Sequence, residues 1–299
     1  MVSSFDGVFA PICTPFDTRG EVNVEALRQN MARYRAAGLT GYVVSGTTGE
    51  APLLSKDEKR MMYGCVAEMA GDSVLIAGTA SESVRETVAL IEAAAELKYA
   101  AALVLTPSFY KVQMLRAETQ VTFFRAVADA SPLPVLIYNF PQMTGVDLPV
   151  EVVRELSEHE NIAGIKESSG DIDKAGRLIF ALPKGFDVLI GASPKFHACL
   201  CLGATGGILA GANILPRSSQ TIYERYRAGD VAGSLALQQK VAEVTGIGAR
   251  YGIQGVKYAM DLKGFYGGPS RLPLMPLGEG QRAEIEALVR DVDDELSDV

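Results

Sequence analysis

The fold is decided by one stretch: Val135-Leu136-Ile137-Tyr138, then a segment of helical period over Pro149–Leu156, then Ile162-Ala163-Gly164-Ile165-Lys166. Both flanking runs are apolar without alternation, as strands buried on both faces are. Two such strands joined by a helical segment are parallel, because the crossover must carry the chain back to the starting edge. The same unit recurs in both directions. Upstream lie Gly7–Pro11, Gly41–Ser45, Val74–Gly78 and Ala101–Thr106, and downstream lie Val188–Gly191 and Gly207–Ala210. Helical segments are expected over Glu25–Ala37, Ser81–Lys98 and Arg116–Ala130. In Ser81–Lys98, Val84, Val88, Ile91 and Ala95 share a face. Ser55-Lys56-Asp57-Glu58 has the form of a capping box opening a further helix. An open doubly wound sheet also satisfies strand–helix alternation. Eight even repeats favour closure into an α/β (β/α)8 barrel.

Beyond the eighth strand only helical signals remain. Arg217–Ala228 would be the last barrel helix, and Asp230–Val244, Gln254–Lys263 and Gly280–Leu296 would form an appendage. The expected division is a barrel over 1–228 and a helical extension over 229–299.

Composition excludes several classes. The 299 residues are 48% hydrophobic and 21% charged, as in an ordinary globular chain. With 28 Lys+Arg against 36 Asp+Glu the net charge is −8, which disfavours nucleic-acid binding. Four cysteines in no zinc or disulfide pattern, and only His159 and His197, argue against a metal centre and fit a reducing, cytoplasmic setting. Met1–Asp6 lacks the basic and apolar regions of a signal peptide. Ala198–Pro216 is uncharged and long enough to span a bilayer, but Gly203, Gly206, Gly207, Gly211, Asn213 and Pro216 cut it into a helix end, a turn and a strand. No membrane contact is expected.

Barrel chemistry sits at the C-terminal strand ends. Lys166 ends an apolar strand there. Burial would lower its pKa and free an amine able to form a Schiff base. The alternative is a solvated lysine paired with Glu167, and position alone leaves both open. Tyr138 ends the preceding strand, as a proton carrier or as a core tyrosine. Gly46-Thr47-Thr48-Gly49-Glu50 supplies two hydroxyls and free N–H groups suited to a small anion, or is simply a turn needing glycine. It lacks the Lys-Ser/Thr ending of a nucleotide-binding loop. Gly203-Ala204-Thr205-Gly206-Gly207-Ile208 precedes a strand, unlike a dinucleotide fingerprint. It leaves backbone approach to a substrate open at Gly207 and Ile208.

Taken together, Gly46-Thr47-Thr48-Gly49-Glu50, Tyr138-Asn139-Phe140-Pro141 and Gly164-Ile165-Lys166-Glu167-Ser168-Ser169-Gly170-Asp171 resemble the dihydrodipicolinate synthase / N-acetylneuraminate lyase family. The resemblance covers nearly the whole chain, including Thr106-Pro107 and Arg271-Leu272-Pro273-Leu274. It implies a barrel with a C-terminal helical extension, assembled as a homotetramer or dimer of dimers. It also implies class I aldolase chemistry on pyruvate or another 2-keto acid, with no cofactor beyond the lysine Schiff base. Carried over by position, Lys166 resembles the Schiff-base lysine and Tyr138 the proton shuttle. Thr47 and Thr48 resemble the carboxylate contacts, Thr48 also lying near the relay. Ile208, next to Gly207, resembles a site residue acting through its backbone.

Two departures stand out. Phe109 occupies the place of the relay tyrosine that synthases donate across a dimer interface, with Tyr110 one position later. Met143 stands where synthases carry a carboxylate-gripping arginine. Thr144–Pro149, Tyr251–Met260 and Gly264–Pro269 look most like the 4-hydroxy-2-oxoglutarate aldolase branch. The resemblance therefore implies retro-aldol cleavage of that acid or of a 2-keto-3-deoxy sugar acid. A 4-hydroxy-tetrahydrodipicolinate synthase, a keto-acid dehydratase and a non-catalytic keto-acid-binding barrel are the other readings.

Overall fold

A computed structural model describes residues 5–294, so the expectation for Met1–Ser4 lies outside the described residues, and the last helix ends at Arg290, short of the expected Leu296. The strands are β1 Gly7–Pro11, β2 Gly41–Val44, β3 Val74–Gly78, β4 Ala101–Leu105, β5 Val135–Asn139, β6 Ile162–Glu167, β7 Asp187–Ile190 and β8 Gly206–Ile208. All neighbours pair in parallel, and β8 pairs back to β1 through Phe9 and Ile208. The sheet is thus a closed barrel in sequence order. The open doubly wound alternative is excluded.

Strand side chains alternate between two cores. Phe5, Phe9, Val43, Leu136, Leu189 and Ile208 belong to the cluster that fills the barrel. Val8, Val44, Ile137, Ile165 and Ile190 point outward into the larger layer shared with the helices. A strand buried on both faces needs apolar residues at both phases, which is why these runs show no alternation.

Helices Val24–Ala36, Lys56–Met69, Val84–Glu96, Ala117–Ala130, Val150–Leu156 and Pro216–Arg227 lie where the sequence placed them, and Ile172–Ala181 is a further barrel helix that the sequence reading did not name. The Ser55/Glu58 capping box forms as expected. One face is corrected: the buried residues of Val84–Glu96 are Thr87, Leu90, Ile91 and Ala94. The buried stripe lies about one residue away from the expected Val84–Val88–Ala95 line. Val84 packs only partly against the core.

The C-terminal helices run Val231–Thr245, Ile247–Leu262 and Glu279–Arg290. The middle one starts seven positions before the expected Gln254. Gly252 adopts φ +70° and ψ −166° inside it, and this break hides the first half from a helical-period reading. The uncharged stretch Ala198–Pro216 is a helix end, a turn, β8 and a short 3-10 segment. No helix among the described residues is long and apolar enough to cross a membrane.

Candidate active site

Strand register brings the reacting candidates together. Tyr138 on β5 pairs directly with Lys166 on β6. Both side chains point inward at the C-terminal mouth, and each is only 4% exposed. The Lys166 ammonium nitrogen lies 4.1 Å from the centre of the Tyr138 ring. Burial alone draws the Lys166 pKa from 10.5 down to about 7. Burial pushes the Tyr138 phenol up to about 12, while the Thr47 and Ser168 hydroxyls beside it work in the opposite direction. The solvated-lysine alternative is overturned. Glu167 points to the other side of the strand, where it accepts from Asn139 Nδ2 at 2.8 Å and lies 3.7 Å from Lys174 Nζ.

Above these residues opens a cavity of about 410 Å3. Thr47 and Thr48 enter from the loop after β2, Ser168 from the loop after β6 and Ser193 from the loop after β7. Ile208, fully buried at the end of β8, closes the floor. Gly191 is required for space: a Cβ there would fall 1.8 Å from Ser168 Oγ. Met143 borders the cavity and is 62% exposed.

Gly207 is the one expected residue turned away from the cavity, while Phe109 and Tyr110, expected to act across a dimer interface, lie on the surface of this single chain. Phe109 and Tyr110 are 77% and 71% exposed and pack edge-to-face on each other outside the cavity. The loop that carries them is pinned at Glu82, which accepts from the Ser108 and Phe109 N–H groups at 3.0 Å. Gly207 is buried but absent from the cavity wall. A Cβ on it would meet Leu209 and Phe196 of the outer core, because β8 turns that position away from the barrel axis.

Other cavity residues escaped the sequence reading. Gln142 and Lys195 line the wall, as do Thr245–Val256 residues brought over the mouth by the break at Gly252. Lys195 was within reach of the strand-end rule, four residues past Gly191. The helical stretch was not, because its proximity is tertiary.

The Thr47–Thr48 loop is clasped from behind. Glu50 sits at φ +57°, and its carboxylate meets Lys257 Nζ at 2.6 Å with both side chains essentially inaccessible. The other carboxylate oxygen accepts the Arg271 N–H at 2.9 Å. Lys257 also donates to the Pro269 carbonyl at 2.8 Å, and Arg271 pairs with Glu58. The Phe16 ring lies 4.5 Å from Lys257 Nζ and 4.2 Å from the Arg271 guanidinium carbon.

Among the described residues no cluster of three His, Cys, Asp or Glu side chains is placed to hold a metal ion. Fold and cavity together define a class: a (β/α)8 barrel with a near-neutral buried amine and a phenol at its reactive mouth. Residues 4–292 match the model of the dihydrodipicolinate synthetase family, and the chain belongs to that family. It is 35% identical over 297 residues to the 4-hydroxy-tetrahydrodipicolinate synthase of Methanothrix thermoacetophila, covering 99% of this chain and 98% of the relative. It is 34% identical over 283 residues to the synthase of the same name from an Exiguobacterium species, covering 94% and 96%. The crystal structure of the dihydrodipicolinate synthase from Acinetobacter baumannii, complexed with pyruvate, superposes with a TM-score of 0.92 at 32% identity, covering 96% and 99%. The chain is accordingly a pyruvate-dependent lyase of aldolase type. Enzymes of this family work through a covalent lysine Schiff base with pyruvate and no metal.

Proposed function

We propose that this enzyme cleaves a 4-hydroxy-2-keto acid to pyruvate and an aldehyde, with 4-hydroxy-2-oxoglutarate as the reference substrate, and that Lys166 is its Schiff-base residue. One observation carries this: a buried amine held near neutrality against a phenol at the end of β6. The Lys166 lone pair attacks C2, an amine proton passes to the former carbonyl oxygen, and Tyr138 gives its phenolic proton to the departing hydroxyl, so that loss of water leaves an iminium ion and a Tyr138 phenolate. The C3–C4 electrons flow into the iminium as Tyr138 takes the proton of the C4 hydroxyl. The aldehyde departs. The resulting enamine is protonated at C3 by Tyr138, and hydrolysis releases pyruvate and the free amine. The hydroxyls of Thr47 and Thr48, with the N–H groups of their loop, hold the C1 carboxylate so that C2 meets the amine. Ile208 packs beneath the keto acid.

The names of the relatives support a second reading, condensation of pyruvate with an amino aldehyde as in 4-hydroxy-tetrahydrodipicolinate synthesis. Two features favour cleavage over it. Met143 offers no cation for the aldehyde's carboxylate, and Phe109 offers no hydroxyl for a relay. Pyruvate release from 4-hydroxy-2-oxoglutarate, followed by lactate dehydrogenase, is expected to exceed consumption of pyruvate with aspartate semialdehyde. The reverse order establishes the synthase.

The amine also sets a pH dependence. Only the unprotonated form attacks, so the rate of pyruvate adduct formation is expected to rise with pH and level off above about 7. A bend near 10 in the trapping rate contradicts a desolvated lysine.

The division into a barrel over 1–228 and an extension over 229–299 is part of the same reading, with the extension completing the cavity wall. A homotetramer built from dimers is proposed on the exposed apolar run of Phe109, Tyr110, Val112 and Leu115. A cytoplasmic setting is proposed on four unpaired cysteines. Sedimentation at micromolar concentration tests the assembly, and a monomer would refute it.

A further inference from the structure

The cavity carries a charge pattern that the cleavage step does not use. Among the described residues that line it, the charged ones are Lys166 and Lys195, and no carboxylate, arginine or histidine joins them. In a chain of net charge −8 this is a local reversal of sign. Lys166 is committed to C2, and the Thr47–Thr48 loop to the C1 carboxylate. Lys195 has no part in either.

Its position is defined. Lys195 ends the 3-10 turn Ser193–Lys195 that directly follows β7, the strand beside Lys166's own. Its ammonium donates to the Gly170 carbonyl in the loop after β6, which holds it at the cavity mouth. An ammonium has three protons, so that bond leaves two for an anion. The Thr47–Thr48 loop follows β2, on the far side of the barrel from β6 in the ring order. A keto acid anchored at both Thr47–Thr48 and Lys166 extends beyond C3 toward other loops. On the cavity side the neighbours of Lys195, namely Gln142, Met143, Ser168 and Ser169, are uncharged, while Glu167 and Asp171 border Lys195 only from a small adjoining cavity behind it.

We infer that Lys195 binds a second carboxylate at the far end of the substrate, so that the natural substrate is a 2-keto dicarboxylate rather than a keto acid with an uncharged tail. The inference rests on the keto-acid reading above and narrows it to a substrate class. It assigns to a lysine after β7 the role that Met143 is chemically unable to take.

The test compares two ligands of equal chain length, 2-oxoglutarate and 2-oxopentanoate, by titration calorimetry. The proteins are the wild type, Lys195→Gln and Lys195→Arg. The wild type is expected to prefer the diacid by about 10–100-fold, the range of one charge-assisted hydrogen bond. Lys195→Gln should bring the ratio close to one by weakening the diacid alone, and Lys195→Arg should keep most of the preference. A ratio unchanged in Lys195→Gln, or a parallel loss for both ligands, overturns the inference. Lys195 is exposed, so neither variant removes core packing. Borohydride trapping of pyruvate on the wild type is read separately. Absence of an adduct on Lys166 defeats the Schiff-base reading, while the affinity ratio still decides the role of Lys195.

Discussion

Lys166→Met should lose the pyruvate adduct altogether and lower kcat/KM by on the order of 10^4-fold or more, as removal of a covalent nucleophile does in enzymes whose groups act as a unit. Borohydride reduction in the presence of pyruvate, with mass mapping of the modified peptide, checks the adduct. An identical adduct in the variant sinks the assignment. The same substitution should stabilise the fold. Lys166 is 4% exposed and its ammonium is desolvated, so in the folded state its pKa falls from 10.5 to about 7. The unfolded chain therefore binds that proton more tightly than the folded one. The penalty is complete below pH 7, shrinks as pH rises from 7 to 10.5, and vanishes above. Methionine of similar length removes it, and a gain of about 1–3 kcal/mol is expected at neutral or lower pH. The gain should fade toward pH 10. Melting curves at pH 6 and pH 10 separate this from a general packing effect. A variant that melts well below wild type at both values contradicts the account.

The second large effect is far from the reacting atoms. Lys257→Met strands the Glu50 carboxylate, which is essentially inaccessible and otherwise meets Lys257 at 2.6 Å. Removing one partner of a buried pair leaves an uncompensated charge and costs about 3–5 kcal/mol. At the slope of a chain this long that is roughly 5–8 °C in Tm. The double variant Glu50→Gln with Lys257→Met should recover a substantial part, because no charge is then left without a partner. The loss should also reach the site. Glu50 directly follows Thr47-Thr48-Gly49, so loosening it should raise KM for pyruvate more than it lowers kcat. A Lys257→Met protein that melts within about 2 °C of wild type contradicts the clasp as a stabilising device.

These two cases differ in how they could have been found. The lysine in Ile162–Glu167 is marked by its setting: an apolar strand in the sixth of eight repeats, ending at the reactive side of a barrel. Period-two geometry then places Lys166 and Ser168 on one side and Glu167 on the other. This settles the pairing that the bare sequence left open. The Glu50–Lys257–Arg271 clasp has no such mark. Arg271 and Glu50 are 221 positions apart, and nothing in either local stretch announces the other.

Phe109 and Tyr110 sit after β4 as the strand-end rule requires, and Glu82 holds their loop outward, the side from which a residue acting across a dimer interface would have to reach. Gly207 is turned away from the cavity for a simple reason. Side-chain direction along a strand depends on register, and the pairing of β8 with β1 sets that phase.

By itself, then, the sequence determined what periodicity and strand order determine: eight parallel strands buried on both faces, and the lysine, tyrosine and threonine pair gathered at one mouth. Those follow from patterns of a few residues, repeated. The closed barrel was already favoured by eight even repeats, but only the tertiary structure decided that Lys166 is desolvated and unpaired with Glu167, that the broken helix at Gly252 walls the cavity, and that Lys195 stands in it. Each of these depends on elements distant in sequence arriving at one place, where exclusion of water sets the charge of an amine and the reach of a side chain.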